Sequence, residues 1–361
     1  MKRGGSLVKA YCIKVPKRLG EKTIKIANRL NLLNKNLKVL RRGDWLLIPI
    51  TGKPVKEKLD QLIEEINQFE ILIQEFPERE GVARSLFDVL EDRLPPHLLA
   101  ALPHSIDFIG DVAILEIPPE LEDYKQLIGE TMLQVFKRVR SVLAKSGAIS
   151  GVYRLRDYEL IAGSDNTETI HKEYGCRYYL DPRKVYFSPR LSYEHFRVAS
   201  QVEEGETVLD MFAGIGPFSI LIAKIHDNVT VYAIDINPNA IEYLKRNIRV
   251  NNVEGKVIPI LGDAREIVES RLRRIADRVI MNLPEKAIEY VNAACLALNL
   301  SGGIIHYYEF ARGVNAIGKA RKRVVEAVKK AGRNVLAVLS ERIVKEVAPL
   351  KWQIAIDLKV Q

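Results

Sequence analysis

The chain has few residues of the kinds that build disulfide frameworks, zinc sites or membrane spans. Its 361 residues include only three cysteines, Cys12, Cys176 and Cys295, which lie far apart and form no CxxC or Cys/His spacing. We therefore expect neither a disulfide framework nor a zinc site, and a reducing cytoplasm suits this composition. No apolar run approaches the roughly 18 residues of a membrane span, and the N-terminus lacks a signal-peptide pattern. These absences favour a cytoplasmic protein.

Positive charge is concentrated at the N-terminus. Residues 1–60 contain 16 Lys and Arg against 4 Asp and Glu, a net charge of +12, whereas the whole chain carries +9. A basic module attached to a nearly neutral body suits a polyphosphate partner such as a nucleic acid. A solvated, lysine-rich surface is the alternative interpretation. The length of the chain predicts two or three domains.

The most informative stretch is Val208–Ala223, VLDMFAGIGPFSILIA. It predicts an apolar strand that ends in Asp210, a turn containing Gly214 and Gly216, and a helix from about Pro217. Glycine is needed where the backbone turns tightly and a ligand approaches closely, as at the carboxyl end of a parallel strand. The acid in this turn would repel a pyrophosphate but can pair with a cation, and S-adenosylmethionine carries two cationic groups. Alone, the loop is equally compatible with an ordinary strand-to-helix turn.

Three further apolar strands follow the loop, and each leads into a polar turn. They are Val229–Asp235, Lys256–Leu261 and Arg278–Asn282. Helical segments separate them, which predicts a parallel, Rossmann-like sheet with all four turns at one edge. An acid at the spacing of Asp235 can hold both ribose hydroxyls of a nucleoside. The ordered set predicts an S-adenosylmethionine site in an α/β domain.

The remaining segments predict two further domains. In chain order we expect a small basic domain (1–58), an α/β middle domain (65–180) and the S-adenosylmethionine-binding catalytic domain (181–361). The elements predicted outside the glycine-loop sheet are a strand at Lys9–Pro16, a helix at Gly20–Leu33, a strand pair within Leu37–Thr51, a connector helix in 54–80, a strand at Asp111–Ile117, a helix at Tyr124–Ser146, strands at Ser150–Arg156 and Glu168–Leu180, a helix at Val314–Ala331, and an antiparallel pair at Val335–Arg342 and Trp352–Val360.

Several motifs resemble those of the archaeal and eukaryotic tRNA (guanine-37, N-1) methyltransferases. They are DMFAGIGPFSI, DINPNA, GDAR, RVIMNLP and VKEVAPLKWQIAIDL, with GVYRLRDYELIAG, TIHKEYGCRYYLD and VYFSPRLSYEHFR ahead of the glycine loop. The resemblance covers about Ser150–Val360; for the N-terminal unit it depends on size, position and charge. It implies a class I methyltransferase fold, S-adenosylmethionine as cofactor and tRNA as partner. It also implies that the N-terminal unit contacts the outer corner of the tRNA and the other domains hold the anticodon arm.

The resemblance also implies catalytic roles for four residues. Guanine N-1 carries a proton at neutral pH, so a base must remove it, and a cation should stabilise the charge that grows on the carbonyl oxygen. Glu194 is implied as the base and Arg154 as the cation. Asn282 and Pro284 are implied as the wall where cofactor and guanine meet. The alternatives are a surface Glu194 that pairs with Arg190 or Arg197, and an Arg154 that binds phosphate.

Further residues are implied at the cofactor. Asp210 would face the methionine ammonium, Asp235 the ribose and Asp263 the adenine amino group. The other expected cofactor contacts are Tyr186, Phe187, His195, Phe212, Gly214, Gly216, Ile236, Ala264 and Asn282. His195 departs from many archaeal members, which have arginine directly after the glutamate, so its contact stays open.

Two other functions remain possible at this stage. One is the aminocarboxypropyl transfer of wyosine synthesis, whose enzyme shares the glycine loop but not the Asn282-Leu283-Pro284 turn. The other is an RNA-binding protein that keeps the methyltransferase fold without turnover. Some archaeal members also methylate carbon 7 of a wyosine precursor, and the sequence does not decide this. We expect a monomer without a metal.

Overall fold

The computed structural model describes residues 7–77, 85–147, 151 and 153–361, and the chain divides into two compact units, Met1–Leu90 and Glu91–Gln361. The predicted elements that fall on residues 78–84, 148–150 and 152 lie outside the described residues. Within the described ranges, no helix is long and apolar enough to span a bilayer.

The first unit is a four-stranded antiparallel sheet with a helix packed on it. Its elements are β1 (Leu7–Pro16), a 3-10 helix (Lys17–Leu19), α1 (Gly20–Arg29), β2 (Leu40–Arg42), β3 (Trp45–Ile50), α2 (Lys56–Glu65), β4 (Glu70–Pro77) and α3 (Leu86–Leu90). The strand order is β2-β3-β1-β4. Ile13 and Ile48 on the sheet share one core with Ile26 and Ala27 of α1.

The connector helix predicted for 54–80 is wrong in its second half. The helix α2 ends at Glu65, and β4 pairs with β1 along its length, from Leu7 opposite Pro77 to Lys14 opposite Glu70. A cut at residue 58 therefore falls inside α2 and would separate β4 from its partner. Residues 1–77 contain 16 Lys and Arg against 8 Asp and Glu, a net charge of +8. The division at 1–58, 65–180 and 181–361 stays a prediction.

The second unit begins with a mixed sheet and a hairpin. Its first elements are α4 (Pro96–Ala100), β5 (Ile106–Ile109), β6 (Val112–Leu115), a 3-10 helix (Pro119–Tyr124), α5 (Lys125–Val135), β7 (Ser141–Lys145), β8 (Tyr158–Gly163), β9 (Thr169–Glu173) and β10 (Cys176–Leu180). The sheet has the order β5-β6-β7-β8, and β9 pairs with β10 in the hairpin.

The predicted helix Tyr124–Ser146 and strand Ser150–Arg156 are wrong in part. The helix α5 ends at Val135, and Ser141–Lys145 forms β7, which pairs in parallel with β6. The partner of β7 is remote in sequence, so local periodicity could not reveal it. Of the predicted strand, Ser150 and Val152 lie outside the described residues, and Arg154 lies in a turn with a φ of 55°.

The rest of the second unit is a seven-stranded sheet with helices. Its elements are a 3-10 helix (Pro189–Leu191), α6 (Ser192–Ala199), β11 (Thr207–Asp210), α7 (Pro217–Ile225), β12 (Thr230–Asp235), α8 (Pro238–Val250), β13 (Val257–Leu261), α9 (Ala264–Arg271), β14 (Arg278–Met281), a 3-10 helix (Ala287–Tyr290), α10 (Val291–Ala297), β15 (Gly303–Arg312), α11 (Ala316–Lys330), β16 (Val335–Ala348) and β17 (Lys351–Val360).

The strand order β13-β12-β11-β14-β15-β17-β16 confirms the predicted Rossmann-like fold. The first five strands in this order are parallel, and β17 and β16 add an antiparallel pair at one end. Consecutive residues alternate between two cores: Val208 faces one and Leu209 the other. Burial on both faces explains why the strands read as continuous apolar runs. The carboxyl ends of β11, β12, β13 and β14 lie at one edge, where a ligand is expected.

Candidate active site

A cavity of about 200 Å³ opens at this edge of the sheet. Ten of the residues predicted at the site line it: Arg154, Tyr186, Phe212, Gly214, Asp235, Ile236, Asp263, Ala264, Asn282 and Pro284. Five do not: Phe187, Glu194, His195, Asp210 and Gly216. The cavity thus brings together turns that follow four different strands with Arg154 and Tyr186, which precede the sheet in the chain.

The glycine loop forms the floor between β11 and α7. Gly214 and Gly216 have φ values of 55° and 90°, a region that side chains rarely adopt. A Cβ on Gly216 would lie 2.4 Å from Leu244 Cδ1, whereas a Cβ on Gly214 would meet nothing closer than 3.8 Å. Gly214 is therefore favoured by its backbone conformation alone, whereas Gly216 is also needed because α8 packs closely behind the loop.

Asp235 stands at the end of β12 and is tied to the glycine loop. Its two carboxylate oxygens accept hydrogen bonds from the backbone N–H groups of Gly214, at 2.7 Å, and Asn237, at 2.8 Å. Burial raises the pKa of Asp235 above its ordinary value, although these backbone donors counteract the shift. The carboxylate both orders the loop and lines the cavity, with lone pairs left for ligand hydroxyls.

Asp263 and Tyr290 form the far end of the cavity. Asp263 caps the N-terminus of α9 by accepting from Arg265 N at 2.8 Å. Its second oxygen accepts the Tyr290 hydroxyl at 3.1 Å, and the Tyr290 ring stands edge-on to Phe212, with centroids 5.0 Å apart. Tyr290 could not be predicted from the sequence, because it lies outside the motifs and reaches the site only through packing. This apolar end with one acid suits a planar base with an amino group.

The opposite wall consists of the turn after β14 and residues brought to it from elsewhere. Asn282 accepts a hydrogen bond from Gln353 on β17, at 3.3 Å, and Gln353 also lines the cavity. Arg154 donates to Glu285, which follows Pro284, at 2.8 Å. Sequence reasoning missed both Gln353 and Glu285. The wall therefore presents one guanidinium, paired with the Glu285 carboxylate, and two amides to the cavity.

A second, basic cavity of about 530 Å³ shares Arg154, Tyr186 and Glu285 with the first. Its cations are Lys145, Arg154, Arg156, Arg190, Arg312, Lys345 and Lys351, and its acids are Asp107, Glu116, Glu285 and Glu346. Phe187 lines this cavity rather than the first. Burial, with Arg190 and Lys145 nearby, lowers the pKa of Lys345 to about 8. The excess of cations suits a polyanion that enters beside the first cavity.

Asp210 lies directly behind the glycine loop and is fully buried. Its Oδ2 accepts the Ser219 hydroxyl at 2.7 Å, while its Oδ1 has no hydrogen-bond partner among the described residues. Burial raises the pKa of Asp210 to about 7. A buried carboxylate oxygen without a donor is costly, so this atom suits a cationic ligand group.

Glu194 and His195 lie on α6, and both side chains are buried. Glu194 accepts hydrogen bonds from Arg197 Nε and from the Tyr308 hydroxyl, each at 3.0 Å. The alternative of a surface Glu194 is wrong, although its pairing with Arg197 is present; Arg190 binds Asp107 instead, at 2.6 Å. His195 Nδ1 lies 2.7 Å from Glu173, so the cofactor contact predicted for this ring stays a prediction without a contact to support it.

No group of His, Cys, Asp and Glu side chains within the described ranges is arranged to hold a metal ion. The three cysteines are buried and unbonded to one another. The polar side chains that line the first cavity are carboxylates, amides, tyrosine hydroxyls, one guanidinium and one ammonium group.

Comparison with protein families covers three consecutive parts of the chain. Residues 12–58 match the tRNA methyltransferase 5 N-terminal domain, residues 86–167 the TYW2 N-terminal domain, and residues 169–336 the TRM5/TYW2 methyltransferase domain. These matches cover all three regions on which the sequence expectations were based.

Two curated relatives represent two enzyme activities. The tRNA (guanine(37)-N(1))-methyltransferase Trm5b of Pyrococcus abyssi is 43% identical over 350 residues, which are 96% of this chain and 98% of the relative. The tRNA(Phe) (4-demethylwyosine(37)-C(7)) aminocarboxypropyltransferase of Pyrococcus horikoshii is 36% identical over 281 residues, which are 78% of this chain and 98% of the relative. The methyltransferase thus matches a larger share of this chain.

Two of the similar solved structures that contain a bound molecule illustrate the likeness. The complex of aTrm5 with tRNALeu superposes with a TM-score of 0.74 and 36% identity, and covers 97% of this chain and 99% of that one. The structure of Methanocaldococcus jannaschii TYW2 with AdoMet has a TM-score of 0.55 and 31% identity, and covers 71% of this chain and 99% of that one.

Proposed function

The chain belongs to the TRM5/TYW2 family of tRNA methyltransferases, and from this premise we propose that it transfers the methyl group of S-adenosylmethionine to N-1 of guanosine 37 in tRNA. The observation that carries the proposal is the polarity of the first cavity. It has acids and an apolar end on the nucleoside side, and a guanidinium with two amides on the side next to the basic cavity.

Two cavity residues, together with Asp210 behind the glycine loop, suit three polar parts of S-adenosylmethionine. Asp235 lines the cavity with lone pairs suited to ribose hydroxyls, and Asp263, beside Tyr290 and Phe212, suits the adenine amino group. Asp210 does not line the cavity, but its Oδ1, which has no hydrogen-bond partner among the described residues, suits the ammonium group. When bound, the cofactor supplies a methyl group on a sulfonium, which needs an in-line nucleophile and no metal or covalent intermediate.

The chain's own residues prepare guanine for attack. Glu194 accepts the N-1 proton, Arg154 neutralises the charge that grows on the guanine oxygen, and Asn282 holds the base against Pro284. Glu194 does not line the cavity in this structure. Catalytic contacts are often longer before substrate binds, so this mechanism requires Glu194 and guanine N-1 to approach when tRNA enters.

The tRNA contacts extend beyond the target base. The basic cavity beside Arg154 takes the backbone of the anticodon loop, and the basic N-terminal unit contacts the outer corner of the tRNA. His195 is held by Glu173 and packs edge-on to Phe218, with ring centroids 4.7 Å apart, and its contact with the cofactor stays a prediction. The protein acts as a monomer in the cytoplasm.

A labelled methyl-transfer assay tests this function. With S-adenosylmethionine tritiated in its methyl group, we expect label to enter a tRNA transcript that has guanosine at position 37. A matched transcript with adenosine at that position should take up none. No incorporation into either would contradict the proposal and leave aminocarboxypropyl transfer or an RNA-binding protein without turnover as the explanation. Equal incorporation into both would place the methylation at another nucleotide.

Aminocarboxypropyl transfer is the second candidate, because a relative with that activity is similar over 78% of this chain. Label in the methionine backbone rather than in the methyl group distinguishes the two reactions when the tRNA carries 4-demethylwyosine at position 37, since only the rival would transfer backbone label to it. Methylation of carbon 7 of a wyosine precursor is a separate question, which tRNA carrying that precursor would answer in the same assay.

A further inference from the structure

A chain of buried polar side chains runs from the surface of the second unit to Glu194. Arg278 is almost fully buried and donates to His306 Nε2 at 2.9 Å, and His306 Nδ1 lies 2.7 Å from Asp357. Asp357 accepts from Arg197, which in turn donates to Glu194. At the outer end, Arg278 donates twice to Glu206, at 2.7 and 2.9 Å.

The protons in this chain are fixed by the order of donors and acceptors. A guanidinium can only donate, so His306 Nε2 accepts from Arg278 and His306 Nδ1 carries the proton that it donates to Asp357. Burial lowers the pKa of His306. Burial alone would raise the pKa of Asp357, but His306 and Arg197 lower it to about 2. The chain therefore keeps one arrangement throughout the neutral range.

The two oxygens of Glu194 differ in their surroundings. Oε2 accepts hydrogen bonds from Arg197 Nε and the Tyr308 hydroxyl, both at 3.0 Å. Oε1 has no hydrogen-bond partner in the described part of the chain; Arg342 Nη1 lies 3.2 Å away as an ion pair. Burial and, to a smaller extent, the negative charge of Glu194 raise the pKa of Tyr308 well above its ordinary value. The Tyr308 hydroxyl therefore remains a hydrogen-bond donor.

We propose that Tyr308 and Asp357 are positioning residues for the base. Tyr308 donates to Oε2 of Glu194, and Asp357 holds Arg197, which donates to the same oxygen. Oε1 is then the atom that accepts the guanine proton. The proposal rests on the proposed function of Glu194. It follows the logic of other catalytic groups, in which a third residue holds the base in its working orientation. A purely structural network that ties α6 to the sheet is the opposing explanation.

The pH dependence of the chemical step separates the two explanations. The charged and titratable groups that contact Glu194 are Arg197 on α6, Tyr308 on β15 and Arg342 on β16. Behind Arg197 lie Asp357 on β17 and, beyond it, His306 on β15. Removing the Tyr308 hydroxyl takes a donor from the ionised carboxylate and disfavours it, so the acid limb of the rate profile should move to higher pH. Removing the charge of Asp357 takes away a nearby negative charge, so the limb should move to lower pH.

The experiment measures single-turnover methyl transfer against pH for Tyr308→Phe and Asp357→Asn, with Tyr307→Phe as the matched control. Tyr307 is a buried neighbour whose hydroxyl donates to a different glutamate, Glu309, at 2.9 Å. We expect Tyr308→Phe to move the acid limb up by roughly one pH unit, which lowers the rate on that limb about tenfold. Asp357→Asn should move the limb down, and Tyr307→Phe should leave it in place.

Several outcomes would overturn the inference. A wild-type profile in both Tyr308→Phe and Asp357→Asn would show that the network only stabilises the fold, and so would equal shifts in Tyr308→Phe and Tyr307→Phe. If one variant does not fold, the direction of the shift in the other still decides. Near-normal rates for Glu194→Gln would instead refute the proposed base, and an inactive wild-type protein would refute the proposed function.

Discussion

The hydrogen bonds of Asp235 allow the cofactor site to be tested by a single substitution. Asp235→Ala removes the carboxylate expected to hold two ribose hydroxyls, and it also removes the acceptors for Gly214 N and Asn237 N. Loss of the charge-assisted hydrogen bonds to the ribose should cost about 1.5–3 kcal/mol. This weakens cofactor binding about 10- to 150-fold. Any disorder of the glycine loop would weaken it further, so the range is a lower bound.

Calorimetric titration with S-adenosylmethionine is the assay, and Asp277→Ala is the matched control. Asp277 also accepts a backbone N–H, from Thr207 at 2.8 Å, and a side-chain N–H, from Asn299 at 2.6 Å, but it precedes β14 at the opposite edge of the sheet. Its variant should lose stability and keep cofactor affinity. Unchanged affinity in Asp235→Ala, or an equal loss in Asp277→Ala, would refute the reasoning.

Three further predictions concern the base, the loop and the N-terminal unit. Glu194→Gln should lower single-turnover methyl transfer at least about 100-fold with cofactor affinity retained, and the defect should shrink as pH rises and guanine ionises by itself; near-normal rates at every pH would contradict the base. Gly216→Ala should reduce the free energy of unfolding, measured by urea titration, by about 2–5 kcal/mol, because strain at φ 90° adds to the clash with Leu244. Gly214→Ala should reduce it by only about 1–2 kcal/mol, since only the backbone strain applies there. Equal losses would refute the packing argument. The fragment 91–361 should fold and bind cofactor. Its tRNA affinity should fall less steeply with salt concentration than that of the full chain. Equal slopes of affinity against salt would mean that the cations of the second cavity carry the binding.

The glycine-loop sheet could be predicted because each predicted strand is followed directly in the sequence by its own turn. Val208–Asp210, the loop and the acid at Asp235 form one ordered pattern, and the structure places them as expected. The strand β15 (Gly303–Arg312) was missed, because buried His306 and half-buried Glu309 interrupt its apolar pattern. Partners for those polar groups come from other elements, which local periodicity does not show.

The strands β4 and β7 illustrate the same limit. Each lies in a segment with helical periodicity, and each becomes a strand because a partner distant in sequence supplies the hydrogen bonds. In the site, Asp235 and Asn282 follow strands and were predictable, whereas Gln353 reaches Asn282 from 71 residues further along the chain. Tyr290 likewise reaches Asp263 only by packing. Residues that complete a site from another element leave no local signal.

The central claim is methyl transfer to N-1 of guanosine 37, and nucleoside analysis by mass spectrometry tests it most directly. An unmodified tRNA transcript with guanosine 37 is incubated with the protein and S-adenosylmethionine, digested and compared with authentic standards. We predict that 1-methylguanosine appears in the digest of this transcript and is absent from the digest of a transcript with adenosine 37. Unmodified guanosine, a guanosine methylated at another atom, or the larger mass of an aminocarboxypropyl nucleoside would contradict it.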